Sequence, residues 1–400
     1  MNAYKKFAAA ALAAIAVAAQ AVILPPPALA DDDGDDGDDV EILAVEHWVP
    51  HISSVPANLG QAVELFVTEK LRASDKEKFL KRPPEGKVVL FVHGGSTPSV
   101  PAFDLDYENY SWMMYLAKAG FDVFAMDRQG YGFSPRPEMD NPCNTSPAQQ
   151  HLLIPFPLSA PCPVAYPSRL SSSRSDWDEL NTVVEYIREL RGVDKITIAG
   201  WSAAGPLGGG WVVNNQDKVD KLVFLAANYV KASPNNPPAM LPVPGFPMSL
   251  RTKDEFLNVE WAPEIACEDQ VDPAVQDFAW QRIMDFDPIG ATWGVSGVMR
   301  IRTGNNWGWN GTTVPTVTLP MLYVIGQNDG LLAQGRALFA DIGSENKVMV
   351  EVACASHFLN WERRHKVLHE ASKHFLRHGS VHGVKRGVLT VNADGTITKH

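Results

Sequence analysis

The chain has 400 residues, 45% of them hydrophobic and 20% charged, enough to bury a core in one large or two small domains and too apolar for a disordered protein. Its 35 Lys+Arg against 46 Asp+Glu give a net charge of −11, which excludes the general attraction to phosphate backbones that nucleic-acid binding relies on. Four cysteines are too few for a disulfide-built scaffold, although an even count allows one or two bridges in an oxidising compartment.

At the N-terminus, Lys5 and Lys6 precede an apolar stretch from Phe7 to Leu24, and Ala28-Leu29-Ala30 has the A-x-A form of a leader cleavage site. Residues 1–30 are therefore expected to be a signal peptide cut after Ala30, exporting the protein to a periplasmic or secreted location. An uncleaved anchor is the competing reading, since such a stretch is near the lower limit for a membrane span. No other stretch of that length lacks charge or proline, so stable membrane insertion is not expected of the mature chain. Asp31 to Asp39, seven Asp and two Gly, can bury nothing and is expected to be a solvated, disordered tail. Its Asp-x-Asp spacing offers oxygen ligands, but no Glu stands at the EF-hand position, and no calcium site is assigned to it. Removing Lys5 and Lys6 takes the charge to −13, more than half of which is this tail, leaving the body near −6.

From Val40 onward apolar runs alternate with amphipathic stretches, as in a mostly parallel sheet covered by helices. Val40 to Val49 and Ala62 to Leu71 alternate as an antiparallel pair at a sheet edge. Val88 to Val92, Val123 to Met126, Ile196 to Ala199, Leu222 to Leu225 and Met321 to Ile325 are continuous buried-strand runs, and Lys347 to Val352 is a last central strand. Helical patterns fall at Tyr110 to Ala119, Asp176 to Leu190, Ala203 to Asn214, Leu331 to Ala340 and Leu359 to Leu376. The order predicts an α/β, doubly wound sheet. Pro135 to Arg169 and Lys231 to Leu319 interrupt it as long, proline-bearing insertions, too long for plain connectors. Near the C-terminus Asn392-Ala393-Asp394-Gly395 reads as a hairpin turn. No internal repeat is present.

Gly200-Trp201-Ser202-Ala203-Ala204-Gly205 follows a strand and opens a helical pattern. A serine hydroxyl is a weak nucleophile, and a sharp strand-to-helix turn flanked by small residues projects it for activation. His93-Gly94-Gly95-Ser96 follows the strand ending at Val92; N–H groups of Gly95 or Ser96, paired with that of Ala203, can form an oxyanion hole at the carboxyl edge of the sheet. Asp329, in Gly326-Gln327-Asn328-Asp329-Gly330, is placed to orient an imidazole. His357, in Cys354-Ala355-Ser356-His357-Phe358, follows the last of these strands and can meet Ser202 across the top of the sheet. Each element also has an ordinary reading as turn chemistry or a structural histidine, but the chain order Ser202, Asp329, His357 is the one this architecture demands.

On these residues, and on Asp127-Arg128-Gln129-Gly130-Tyr131-Gly132-Phe133-Ser134, which is similar to a D-x-R-G-x-G-x-S turn, the sequence from about Lys87 to His378 resembles the α/β-hydrolase superfamily. The resemblance implies an α/β-hydrolase fold over residues 40–400, with a lid or cap insertion at about 228–319. It implies Ser202 as nucleophile, His357 as general base and then acid, and Asp329 as the orienting carboxylate. Two departures stand out: Ala204 occupies a position that is most often Gly, and Asn228 lies where some members keep their acid. Asn cannot stabilise an imidazolium by charge, which favours Asp329. A Ser rather than an Asp nucleophile disfavours haloalkane dehalogenase and epoxide hydrolase chemistry.

The cap segment carries Trp261, Trp280, Trp293, Trp307 and Trp309, which suggest an apolar or aromatic substrate, or else pack the cap onto the core. Trp201, beside the nucleophile, is expected as a pocket wall, with Gly94 next to it as a substrate-binding position. Cys143 and Cys162 lie close enough to staple the first insertion, and Cys267 would then reach Cys354, but three pairings exist and the sequence does not choose. His365 and His369, then His374 and His378, are each one helical turn apart; that spacing can hold zinc, but with Arg363, Arg364, Lys366 and Lys373 interleaved a solvated basic face is expected, and no metal. The function expected is an exported serine hydrolase of carboxylic esters, needing no cofactor, with a small-molecule ester as partner and no nucleic acid. Lactone, amide or carbon–carbon bond hydrolysis on the same triad and a non-catalytic binding protein on a hydrolase scaffold are the alternatives, the last disfavoured by the intact Ser, Asp and His.

Overall fold

The computed structural model describes residues 40–81 and 85–400. The expected signal peptide and acidic tail lie outside these residues. Twelve strands are present among the described residues: β1 (Ile42–Ile52), β2 (Ala62–Arg72), β3 (Val88–Val92), β4 (Asp122–Met126), β5 (Ile196–Trp201), β6 (Val219–Leu225), β7 (Met248–Thr252), β8 (Val298–Arg302), β9 (Met321–Gly326), β10 (Lys347–Val352), β11 (Arg386–Val391) and β12 (Ile397–Lys399). Ten of them form one sheet in the order β1-β2-β4-β3-β5-β6-β9-β10-β11-β12. The strands from β4 to β11 pair in parallel, and β1, β2 and β12 add antiparallel edges. Every residue of β3, β4, β5, β9 and β10 is buried, which is why β3 and β9 read as unbroken apolar runs instead of alternating ones.

The connection from β3 runs outward to β4, whereas β5 returns on the other side of β3. This reversal opens a crevice at the carboxyl ends of β3 and β5, where ligands bind in open α/β sheets. The helix Ser173–Arg191 crosses one face; it starts on a Ser172–Ser175 capping box and stops at Gly192 in the left-handed region.

Three expectations need correction. The segment after Ser202 is a π-helical turn at Gly205–Gly209 followed by an α-turn at Gly210–Val212, not a helix to Asn214. Pro206 has no N–H to give, and a Cβ on Gly209 or Gly210 would stand 2.8 Å from the Trp309 ring or 2.9 Å from that of Trp177, so close ring packing sets the local sequence. The C-terminal helix runs His365–His378, preceded by a separate turn at Leu359–Trp361. β10 is not the last strand, because the expected hairpin docks β11 in parallel beside it and so covers its edge.

The two insertions pack on each other. β7 and β8 form their own antiparallel pair, Met248 bridges to Thr145 and Pro244 to Ser168, and Leu153, Leu170, Met248 and Trp293 share a small second core. Disulfides join Cys143 to Cys162 and Cys267 to Cys354, the second tying the longer insertion to the segment after β10. No helix among the described residues is long and apolar enough to cross a membrane.

Candidate active site

Ser202 leaves β5 at φ 57°, in the left-handed region, and its backbone is clamped there: its N–H donates to Leu225, and its carbonyl accepts from Gly205 and Asn228. A non-glycine residue at positive φ is strained and persists only where the surroundings enforce it. The enforcing contacts are steric. A Cβ on Gly200 would lie 2.4 Å from Cβ of Ala204 and 2.9 Å from the carbonyl of Val92, so the turn closes on a Gly-Ala contact, and Ala204 is accommodated because Gly200 is bare. A Cβ on Gly94 would sit 3.2 Å from Cβ of Ser202, showing how closely the loop after β3 approaches the serine.

That loop is held from beneath by the turn after β4. Arg128 is buried and donates to the Gly94 carbonyl at 2.7 Å, while the Tyr131 hydroxyl donates to the Gly95 carbonyl. With both carbonyls engaged, the N–H groups of Gly95 and Ser96 have no partner among the described residues, and neither has that of Ala203. An ideal Cβ on Gly95 would be 3.7 Å from Cβ of Ala203, so the loop after β3 and the turn after Ser202 lie side by side. Asp127 fixes the supporting turn through the N–H groups of Ser99 and Phe133, and Gly132 must be bare because a Cβ there would stand 1.7 Å from the Asp127 carboxylate.

His357 donates from Nδ1 to Oδ2 of Asp329 at 3.0 Å, and the other carboxylate oxygen of Asp329 accepts from the Leu331 N–H at 2.7 Å. Burial opposes charging His357, but the hydrogen bond and charge of Asp329, reinforced by the carboxylates of Glu264 and Glu260, outweigh it and hold its pKa above the ordinary value of 6.5. The Trp201 indole donates to the His357 carbonyl at 2.9 Å, anchoring the loop as well as walling the pocket. Ser202 Oγ donates to Oδ1 of Asn228 at 3.3 Å. Asn228 thus holds the hydroxyl and does not stand in for the acid.

Ser202 and His357 open onto one cavity of about 220 Å³. The Gly94–Thr97 loop forms one side, Trp201, Phe256 and Phe358 give apolar wall, and Arg251 and Glu260 face it as an ion pair, with Arg251 also donating to Ser96 Oγ at 2.9 Å. None of the five insertion tryptophans lines it. Trp261 stacks on Phe358 with ring centroids 4.7 Å apart, Trp309 packs on Phe224 and Tyr229, Trp307 packs on Trp177, Trp293 joins the second core and Trp280 is buried against Phe256. They serve packing, the second of the two readings open in the sequence. Phe256, Arg251, Glu260 and Glu264 carry no motif and stand in a long insertion, so no pattern in the sequence marks them.

The basic-face expectation also fails for His365 and His369, which are buried. His365 lies 3.9 Å from the Tyr110 ring and bonds Asn109, and burial pushes its pKa down to about 4; His369 packs on Tyr115. Neutral imidazoles stacked on tyrosines can turn inward where charged ones could not. No group of three or more His, Cys, Asp or Glu suited to a metal occurs among the described residues.

Residues 87–253 match the family model described as alpha/beta hydrolase fold. No curated protein matches the sequence. Among solved structures, a thermophilic esterase from Thermogutta terrifontis is similar at 17% identity and TM-score 0.50, over 83% of this chain and 99% of that one. A serine hydrolase involved in carbazole degradation is similar at 15% identity and TM-score 0.49, over 84% and 99%. With the strand order and the turn at the end of β5, the chain has the α/β-hydrolase fold.

Proposed function

We propose that the protein is an exported serine hydrolase that cleaves carboxylic esters through an acyl-enzyme on Ser202. The observation that carries this reading is the 3.0 Å contact of His357 with Asp329 at the rim of the cavity that also holds Ser202 on its strained turn. With Nδ1–H given to Asp329, His357 Nε2 is left as the base. As the Ser202 hydroxyl swings from Asn228 to the imidazole, it loses its proton to Nε2 and Oγ attacks the ester carbonyl, whose developing oxyanion accepts from the N–H groups of Gly95, Ser96 and Ala203. The imidazolium returns the proton to the departing alkoxide, releasing the alcohol. Water, deprotonated by His357, then attacks the acyl carbon, and as the acyl–Oγ bond breaks the imidazolium gives its proton to Oγ, freeing the acid and restoring the Ser202 hydroxyl. No cofactor enters this sequence.

The cavity supports a small acyl group with an apolar body, resting on Trp201, Phe256 and Phe358, and polar groups at Arg251 and Glu260. Two disulfides fit an oxidising compartment, in keeping with an N-terminal export signal at residues 1–30 and a cap formed by residues 228–319. A fluorophosphonate probe is expected to label Ser202, and Ser202→Ala to abolish labelling and to lower kcat on an activated acetate or butyrate ester by about 10⁴-fold or more. Full retention of turnover in that variant, or a wild-type protein that takes up no label, would overturn the assignment; the second result would favour a binding protein on an idle scaffold.

A further inference from the structure

Beyond the three residues of the proposed triad, we infer that Glu264, supplied by the long insertion, is a positioning residue that sets the placement of His357 against Asp329. The inference rests on the serine-hydrolase reading for its catalytic consequence, and on geometry for the rest. The Glu264 carboxylate accepts from two backbone N–H groups: Oε2 from His357 at 2.8 Å and Oε1 from Gly330 at 2.9 Å. Gly330 directly follows Asp329. One planar group therefore bridges the loop that carries the imidazole and the loop that carries its carboxylate partner. Charge-assisted bonds of this kind are stronger than neutral ones, and a carboxylate can take two donors without adjustment of either loop.

The neighbours of Glu264 repeat the same bridge. Its own carbonyl accepts from Nε2 of Gln270 at 3.1 Å. Gln270 in turn takes Nδ2 of Asn328, the residue before Asp329, at 3.2 Å, and donates to Oε1 of Glu362 at 3.1 Å. Glu362 accepts the N–H of Ser356, the residue before His357, at 2.8 Å. Cys267, between Glu264 and Gln270, is bonded to Cys354 on the histidine loop. Residues 264–270 of the insertion thus grip both sides of Asp329 and the near side of His357. Among the described residues the loops share one side-chain hydrogen bond, His357–Asp329, and a backbone bond from the Asn328 N–H to the Ala355 carbonyl at 2.9 Å; the length of the first depends on what holds the two backbones.

Glu264 also acts on His357 by charge. The charged groups facing the imidazole are Asp329 from the loop after β9, and Glu264 and Glu260 from the insertion, with Arg251 of β7 paired to Glu260 behind it. Loss of the Glu264 charge makes the imidazole a weaker base.

The test uses the full-length protein with Glu264→Gln, which keeps the volume, removes the charge and sets an amide NH₂ against one of the two N–H donors. The kinetics are read with an activated butyrate ester across pH, and the His357 imidazole is titrated by NMR, assigned with His357→Asn. Glu264→Gln is expected to lower kcat about tenfold with KM within about twofold, and to move both the acid limb of kcat/KM and the His357 titration to lower pH. Glu264→Asp, one methylene shorter, keeps the charge but loses the span, and is expected to lower kcat with the acid limb in place. Wild-type kcat with an unmoved titration in Glu264→Gln, or a drop in melting temperature alone in either variant, would overturn the inference. Should the wild type neither hydrolyse esters nor take up fluorophosphonate, the serine-hydrolase reading fails by itself, and the NMR titration still decides whether Glu264 governs His357.

Discussion

On the proposed mechanism, protonation of the His357 ring governs both activity and part of the stability. Because the pKa of His357 is raised, the folded state favours its charged form; it contributes stability below 6.5 that is lost as pH rises through the higher folded value. Activity runs the other way, since a general base must be neutral. The acid limb of kcat/KM for an activated ester is expected to have its midpoint above 6.5, and a pH profile with a midpoint below that value would contradict the geometry around His357. Ser202, Asp329 and His357 are legible in the sequence because each stands in or just after the turn that follows a readable strand, so its position at the carboxyl edge follows from counting strands. Asn228 is legible as a departure, but its hold on the serine hydroxyl depends on the 3.3 Å approach of two loops that no pattern reports. Glu264 and Arg251 are invisible for the same reason: an ordinary charged residue in an insertion acquires its meaning from what it faces.

Among the elements, the buried parallel strands are the easiest to read, since burial on both faces leaves no alternation to misjudge. The helices after Ser202 and after His357 are harder. Glycines after the serine look like weak helix formers and are spacers for Trp177 and Trp309, and Leu359 to Trp361 form a separate turn ahead of the helix that the pattern runs into. The link between Cys267 and Cys354 spans 87 residues and is one of the three pairings the sequence leaves open. Replacing both cysteines by serine is expected to cost about 2–4 kcal/mol in denaturant unfolding. Ester turnover is expected to fall as well, because Cys354 lies on the histidine loop. The same replacement at Cys143 and Cys162, remote from that loop, should lower stability and leave kcat close to wild type.

Across the whole molecule, the insertion is bolted down at several places. Arg302 of β8 pairs with Asp176 of the helix Ser173–Arg191 and donates to the Gln129 carbonyl at 2.7 Å, and Trp261 is sealed against Phe358. The Arg302–Asp176 pair is buried, and separating it would leave charges stranded out of water, which is strongly unfavourable. The longer insertion is therefore expected to act as a fixed roof and not as a hinged door. A hydrolase with such a roof gains nothing from an oil–water boundary, since no flap waits to be drawn open by it. Its velocity on a sparingly soluble ester should follow simple saturation straight through the solubility limit, and an abrupt rise in rate as droplets form would show that the roof moves after all.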